Sequence, residues 1–344
     1  MFTRILAVSL ALLLALVACA QEDADRILLR YQWNAGDEII WQIASETTGT
    51  VVTRDLTKDP VAETSAEIWT SATMPMTLTV DSSDAQGNGT IAYYVGIIEM
   101  DMAAGGQQHY MRIDPQARTM TMDGEEMPLP EQSMLWMTEP MRMVTSPRGE
   151  LLELQLPEGS PLGGMAGLDL TQWMRLSQQW QMVFPEEPVP EGYSWYTSMA
   201  VPFGGEGAGG GEAGEAEAPK VAPAATMVLT HAGRETVNGV DCVRVEMVGA
   251  MDIDELPLSL GQGSGMGAMM PEGLEMRMGP MHVSVAGSFL FDPAAGEVVS
   301  TQARLLIDLD QRMTGTVETP DGAQTVDMEI FIRDMLVETT ASRP

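Results

Sequence analysis

Between positions 266 and 282 the chain gathers seven side chains able to hold a soft metal ion: Met266, Met269, Met270, Met276, Met278, Met281 and His282. Thioethers beside an imidazole suit Cu(I) or Ag(I), ions that an exported protein can meet. Methionine is abundant throughout, however, at 29 of 344 residues. Two other readings therefore stand beside the metal. Met can replace Leu as a flexible core filler, which is the favoured account, or Met pairs can line one sheet face as an adaptable apolar surface for acyl chains. Such i,i+2 pairs occur at Met74/Met76, Met100/Met102, Met120/Met122, Met141/Met143 and Met276/Met278. At strand periodicity both members of a pair point the same way.

Other chemistry is poorly supplied. Gly263-Ser264-Gly265 lies in a glycine-rich run rather than in a G-x-S-x-G elbow between strand and helix. Residues 261–267 resemble a phosphate loop but lack its Lys-Ser/Thr ending. Cys242 alternates with Val240 and Arg244, the setting of a small buried hydrophobe rather than of a nucleophile. His109, His231 and His282 are isolated and lack zinc-ligand spacing. No catalytic residue and no cofactor is implied, and an enzyme is the least favoured class.

Charge narrows the partners. With 18 Lys+Arg against 49 Asp+Glu, the formal net charge is -31. Such a chain repels phosphate backbones, which excludes nucleic acid, and it disfavours docking to an anionic lipid surface. Residues 1–20 read as a signal peptide: Arg4, an apolar run from Ile5 to Val17, then small residues. Leu16-Val17-Ala18-Cys19 matches a lipobox, in which Cys19 would become the lipidated first residue, while Ala18-Cys19-Ala20 also fits an ordinary cleavage site. The lipobox is favoured. It would anchor an exported protein at a membrane of the cell envelope, the outer membrane in a Gram-negative cell, without making the domain a membrane protein; the ordinary site would leave it periplasmic or secreted.

The elements that must position any site are strands. Leu29, Tyr31 and Trp33 alternate with polar residues, turn at Asn34 to Asp37, and alternate again at Ile39, Trp41 and Ile43, which predicts a hairpin. Met76–Val80 and Thr90–Val95 predict a second hairpin, and Thr226–Glu235 with Val240–Val248 a third. His282–Asp292 turns into Glu297–Asp310, and Val326, Met328, Ile330 and Ile332 share a face of a final strand. A helix is predicted over 169–184, where Leu170, Trp173, Leu176, Trp180 and Phe184 form a stripe, and a shorter one over 131–143. Segment 204–225 is Gly/Glu/Ala-rich and reads as a flexible linker between an N-terminal part (21–203) and a C-terminal part (226–344). The expected fold is mainly β: a large curved antiparallel sheet or half-barrel with one amphipathic helix packed on it.

Five turn phrases recur in order: Tyr31 to Asp37, Asp84 to Thr90, Ser146 to Leu152, Pro188 to Trp195 and Phe291 to Val299. In that order they resemble an uncharacterised family of exported bacterial proteins known only as a domain of unknown function. The resemblance brings no catalytic residues. It implies a curved antiparallel sheet like those of periplasmic lipoprotein carriers, whose concave face holds acyl chains. The chain departs from the family phrases at Asn34 and Leu151. The expected function is a non-catalytic binding or carrier module for an apolar ligand. Soft-metal binding through 266–282, and a structural or assembly role beside an envelope partner, are the alternatives.

Overall fold

The computed structural model describes residues 26–129, 139–155, 182–199, 225–253, 256–258, 274–319 and 322–343. The signal peptide with Cys19, and segment 204–224 of the expected linker, lie outside them. Alternating apolar and polar side chains set sixteen strands among the described residues. They are β1 (Glu38–Asp55), β2 (Ala62–Ser83), β3 (Gly89–Val95), β4 (Ile98–Ala104), β5 (Gln107–Asp114), β6 (Thr119–Met122), β7 (Glu125–Pro128) and β8 (Met141–Thr145), followed by β9 (Leu151–Gln155), β10 (Ser194–Met199), β11 (Ala225–Val237), β12 (Val240–Ile253), β13 (Leu256–Leu258), β14 (Leu274–Asp292), β15 (Glu297–Thr319) and β16 (Gly322–Ser342).

All sixteen join one antiparallel sheet, whose main path runs β10-β11-β12-β14-β15-β16-β1-β2-β4-β5-β6-β7. β3 branches from β2 and carries β8 and β9. Strands from the two parts of the sequence meet twice, β10 against β11 and β1 against β16. The second, third and fourth expected strand pairs form as β2–β3, β11–β12 and β14–β15. At the β11–β12 turn, Asn238 and Gly239 both adopt positive φ, which the two-residue hairpin turn requires.

Three expectations change. Residues 29–33 are not a strand paired with β1; they form an extended strap that lies on the sheet. The Tyr31 N–H donates to Pro147 O at 2.7 Å and the Gln32 N–H to Gly296 O at 3.0 Å. Burying Leu29 and Tyr31 against the sheet removes more apolar surface from water than edge pairing in a hairpin would. The helix expected over 169–184 falls on 169–181, outside the described residues, and its last residues, Met182 to Phe184, are non-helical. Phe184 is instead fully buried against Phe289 and Phe291. The shorter helix lies outside the described residues over 131–138, and Met141–Met143 are strand because they pair with β3. No helix occurs among the described residues.

Register divides the sheet into two chemically distinct faces. One row crosses twelve strands: Trp195, Leu229, Met247, Gly287, Ala303, Thr339, Ser45, Ala72, Met100, Met111, Met122 and Glu125. Large apolar residues stand on both wings, and small residues form the middle. Two residues further along the strands, Gly249, Val285, Leu305, Val337, Thr47, Thr70, Met102 and His109 form the next row. The opposite face carries ion pairs such as Arg304–Glu338 and Arg312–Asp327. Arg54 and Arg333 both lie over the Phe331 ring there, at 4.8 and 5.0 Å. These exposed pairs keep that face wet and contribute little stability each.

The main core sits at one end of the apolar face. Ile27, just before the strap, and Leu29 within it, with Phe184 and Val189 from the segment before β10, pack on Leu229, Val243, Val245, Phe289 and Phe291. Ile27 and Val189 also form an isolated β-bridge. A second cluster of Met251, Met281, Val283 and Leu309 lies further along the same face.

Candidate functional site

Residues of the strap and of the sheet together line a cavity of about 260 Å³. Ile39 and Trp41 of β1, Leu78 of β2, Tyr93 of β3 and Met143 of β8 line it with Met182, and Tyr31 and Trp33 come from the strap. Tyr31 stacks on Trp33 with centroids 5.0 Å apart and planes 7° apart, and it meets Phe291 edge-on at 5.6 Å. The size is close to the lower bound of about 300 Å³ for small-molecule sites.

Glycines let the strap approach this closely. A Cβ on Gly89 would lie 2.4 Å from Trp33 Cγ, and one on Gly149 would lie 2.9 Å from the Tyr31 ring. Gly296, at φ +69°, leaves room for the Gln32 backbone, 2.5 Å from where its Cβ would stand. These glycines belong to three of the turn phrases noted in the sequence. Each phrase closes a hairpin, and each also seats one residue of the strap.

Polar groups at the cavity are few. Glu297 lines it and is held by two guanidinium N–H groups of Arg343, Nη1 and Nη2. The Trp33 Nε1–H and Arg343 Nε–H are shielded from solvent and have no hydrogen-bond partner among the described residues. Burial pushes the Tyr31 phenol far above its ordinary pKa, with a further contribution from neighbouring Tyr93, and burial does the same to Tyr93. Folding thus favours the neutral phenols. That stabilisation is complete below the unfolded value of about 10 and is lost as pH rises toward the folded values. Stability is expected to decline steeply above about pH 10. In an ultraviolet titration Tyr31 and Tyr93 should ionise only as the chain unfolds; all six tyrosines ionising near pH 10 with the fold intact would contradict their burial.

The soft-metal set is placed as follows. Met266, Met269 and Met270 lie outside the described residues, and Met276 and Met278 are backbone positions of β14. Met281 is buried beside Met251 and Leu309. His282, the next residue, faces the opposite side, with Nδ1 2.5 Å from Asp252 Oδ1. An open depression there is lined by Asp308, Asp310, Arg333 and Asp334 as well. No cluster of three or more His, Cys, Asp or Glu suited to a metal occurs among the described residues. Cys242 is a buried free thiol, its pKa raised by burial and then by Asp292, Glu235 and Asp241.

Register puts the pairs Met74/Met76, Met100/Met102, Met120/Met122 and Met141/Met143 on the apolar face, in line with Ile43, Trp41, Ile113 and Tyr93. The cavity itself was not foreseen from sequence. Its available signal was the concentration of Tyr31, Trp33 and Trp41 within eleven residues of a chain only 6% aromatic.

No family model and no curated protein sequence matches the chain. Among solved structures, lipovitellin, from work on its lipid–protein interactions, is 9% identical at a TM-score of 0.36, over 91% of this chain and 25% of that one. The chain therefore spans a quarter of lipovitellin's length. An outer membrane channel from Pseudomonas putida F1 is 8% identical at a TM-score of 0.22, over 92% and 97% of the two chains. Pseudomonas aeruginosa OccK7 is 8% identical at 0.18, over 89% and 98%. Likeness at these scores does not define a shared fold.

Proposed function

We propose that this chain is an exported envelope protein, anchored through a lipidated Cys19, that binds an apolar ligand without catalysing a reaction. The observation that carries this reading is the cavity between strap and sheet, on the face whose two wings carry large apolar side chains. A sheet needs only one apolar face to fold, and that face is normally covered along its length. Here Trp41, Ile43, Met74 and Met76 remain only half-buried. Unbranched thioether side chains adapt to ligands of irregular outline, which suits the Met-lined wing at β4 to β6 to acyl or similar chains. The polar opposite face and the charge of -31 keep the domain hydrated, so that the lipid anchor alone holds it at the membrane.

Diphenylhexatriene, an apolar fluorophore, tests the reading, with Trp33 and Trp41 as energy donors. The expected result is saturable quenching of tryptophan emission at one probe per chain. Linear, non-saturating uptake, or none, would remove the proposal.

A further inference from the structure

We infer that the β4–β5 hairpin carries a binding site for a soft monovalent cation, Cu(I), formed by the thioethers of Met100, Met102 and Met111 with the imidazole of His109. The site goes beyond the apolar-ligand reading and is independent of it, because none of these four residues lines the cavity at the strap.

Register brings the four together. Met100 pairs with Met111, and two residues further along Met102 pairs with His109. Paired residues on antiparallel strands share a face, with Cβ atoms about 4.5–5.5 Å apart, and positions i and i+2 share it too. Three sulfurs and one imidazole therefore stand at the corners of one patch. Met122 of β6, directly opposite Met111, stands beside it. Leucine would cover a sheet face as well as methionine does, so what these positions add is sulfur, and an imidazole at the fourth corner is no apolar filler.

His109 is oriented as a ligand would be. Its Nδ1 lies 2.7 Å from Asp123 Oδ2, and Asp123 Oδ1 accepts the Tyr110 N–H at 2.8 Å. A carboxylate held in this way accepts the Nδ1–H and leaves the lone pair on Nε2, the arrangement common to metal-ligating histidines. The His109 side chain is 46% exposed, so an ion can reach it from solvent.

The donor set selects the ion. Thioethers with imidazole suit Cu(I), whereas Ca²⁺ and Mg²⁺ need oxygen ligands. Glu99 and Asp101 of β4 alternate with the methionines onto the opposite face, where Glu99 meets Tyr110 and Arg112. The net charge of -31 favours the approach of any cation.

The test delivers Cu(I) anaerobically, from its bicinchoninate complex, to the full mature chain. Wild-type protein should withdraw one ion per chain, and X-ray absorption at the copper edge should show sulfur neighbours with one imidazole nitrogen. His109→Gln should weaken binding more than about tenfold, because losing even a partner outside the ligand set costs that much. The triple variant Met100→Leu/Met102→Leu/Met111→Leu should do the same while keeping the wild-type circular dichroism spectrum, since leucine is close to methionine in volume. Met276→Leu/Met278→Leu, in the segment singled out from the sequence, should hold the ion as tightly as wild type. Wild-type chain that leaves all copper with the chelator, sulfur-only coordination, or a loss confined to Met276→Leu/Met278→Leu would overturn the inference.

Discussion

Phe291→Ala is expected to destabilise the protein by about 3–5 kcal/mol, the range for removing a fully buried aromatic ring. Phe291 has no exposed surface. Its ring meets Tyr31 edge-on, and Phe184 at 4.8 Å and 66°. It is thus the point where β14, the strap and the segment preceding β10 pack together. The cavity left behind could be closed only by shifting the strap, which is itself pinned by hydrogen bonds to Pro147 and Gly296. Leu306→Ala on the polar face, where the side chain is 37% exposed, should stay within about 0.5 kcal/mol. Urea unfolding followed by circular dichroism measures both. Equal, small losses would mean that the strap is not seated as described.

The second large effect concerns binding. Ile40 and Trp41 are neighbours on β1, yet they face opposite sides of the sheet. Trp41 lines the cavity, whereas Ile40 is 43% exposed on the polar face. Trp41→Glu removes a ring that buries about 150–250 Å². Forfeiting half of that contact at about 25 cal/mol per Å² corresponds to about 2–3 kcal/mol, so affinity for diphenylhexatriene should fall by more than about tenfold. Ile40→Glu should leave it unchanged. If the two substitutions act alike, ligand does not occupy this face.

Much of the sheet was legible because its signals are local. Alternation around Leu305, Ile307 and Leu309, or Val326 to Ile332, depends only on the period of a strand, and these residues do share the apolar face. Asn238-Gly239 marked its turn through the positive φ it requires. The strap was misread for the same reason. Leu29, Tyr31 and Trp33 alternate as a strand would, but their partners are turns more than a hundred residues away at Pro147 and Gly296, and nothing local encodes those. A similar limit hid the role of Gly89 and Gly149. Each reads as turn chemistry, while the constraint that fixes it is the ring of Trp33 or Tyr31 lying where a Cβ would go. The candidate site is the product of these long-range contacts, so its residues could be seen singly in the sequence but not as a group. Phe184 illustrates the converse: its place in an apolar stripe suggested a helix, and the burial that the stripe correctly signalled is satisfied by a non-helical backbone instead.

Native mass spectrometry of the protein, extracted gently from its own envelope, tests ligand carriage most directly. The account predicts a mass increment for one noncovalently held apolar molecule, lost in Trp41→Glu and retained in Ile40→Glu. Wild-type chain that emerges empty in every preparation would contradict it.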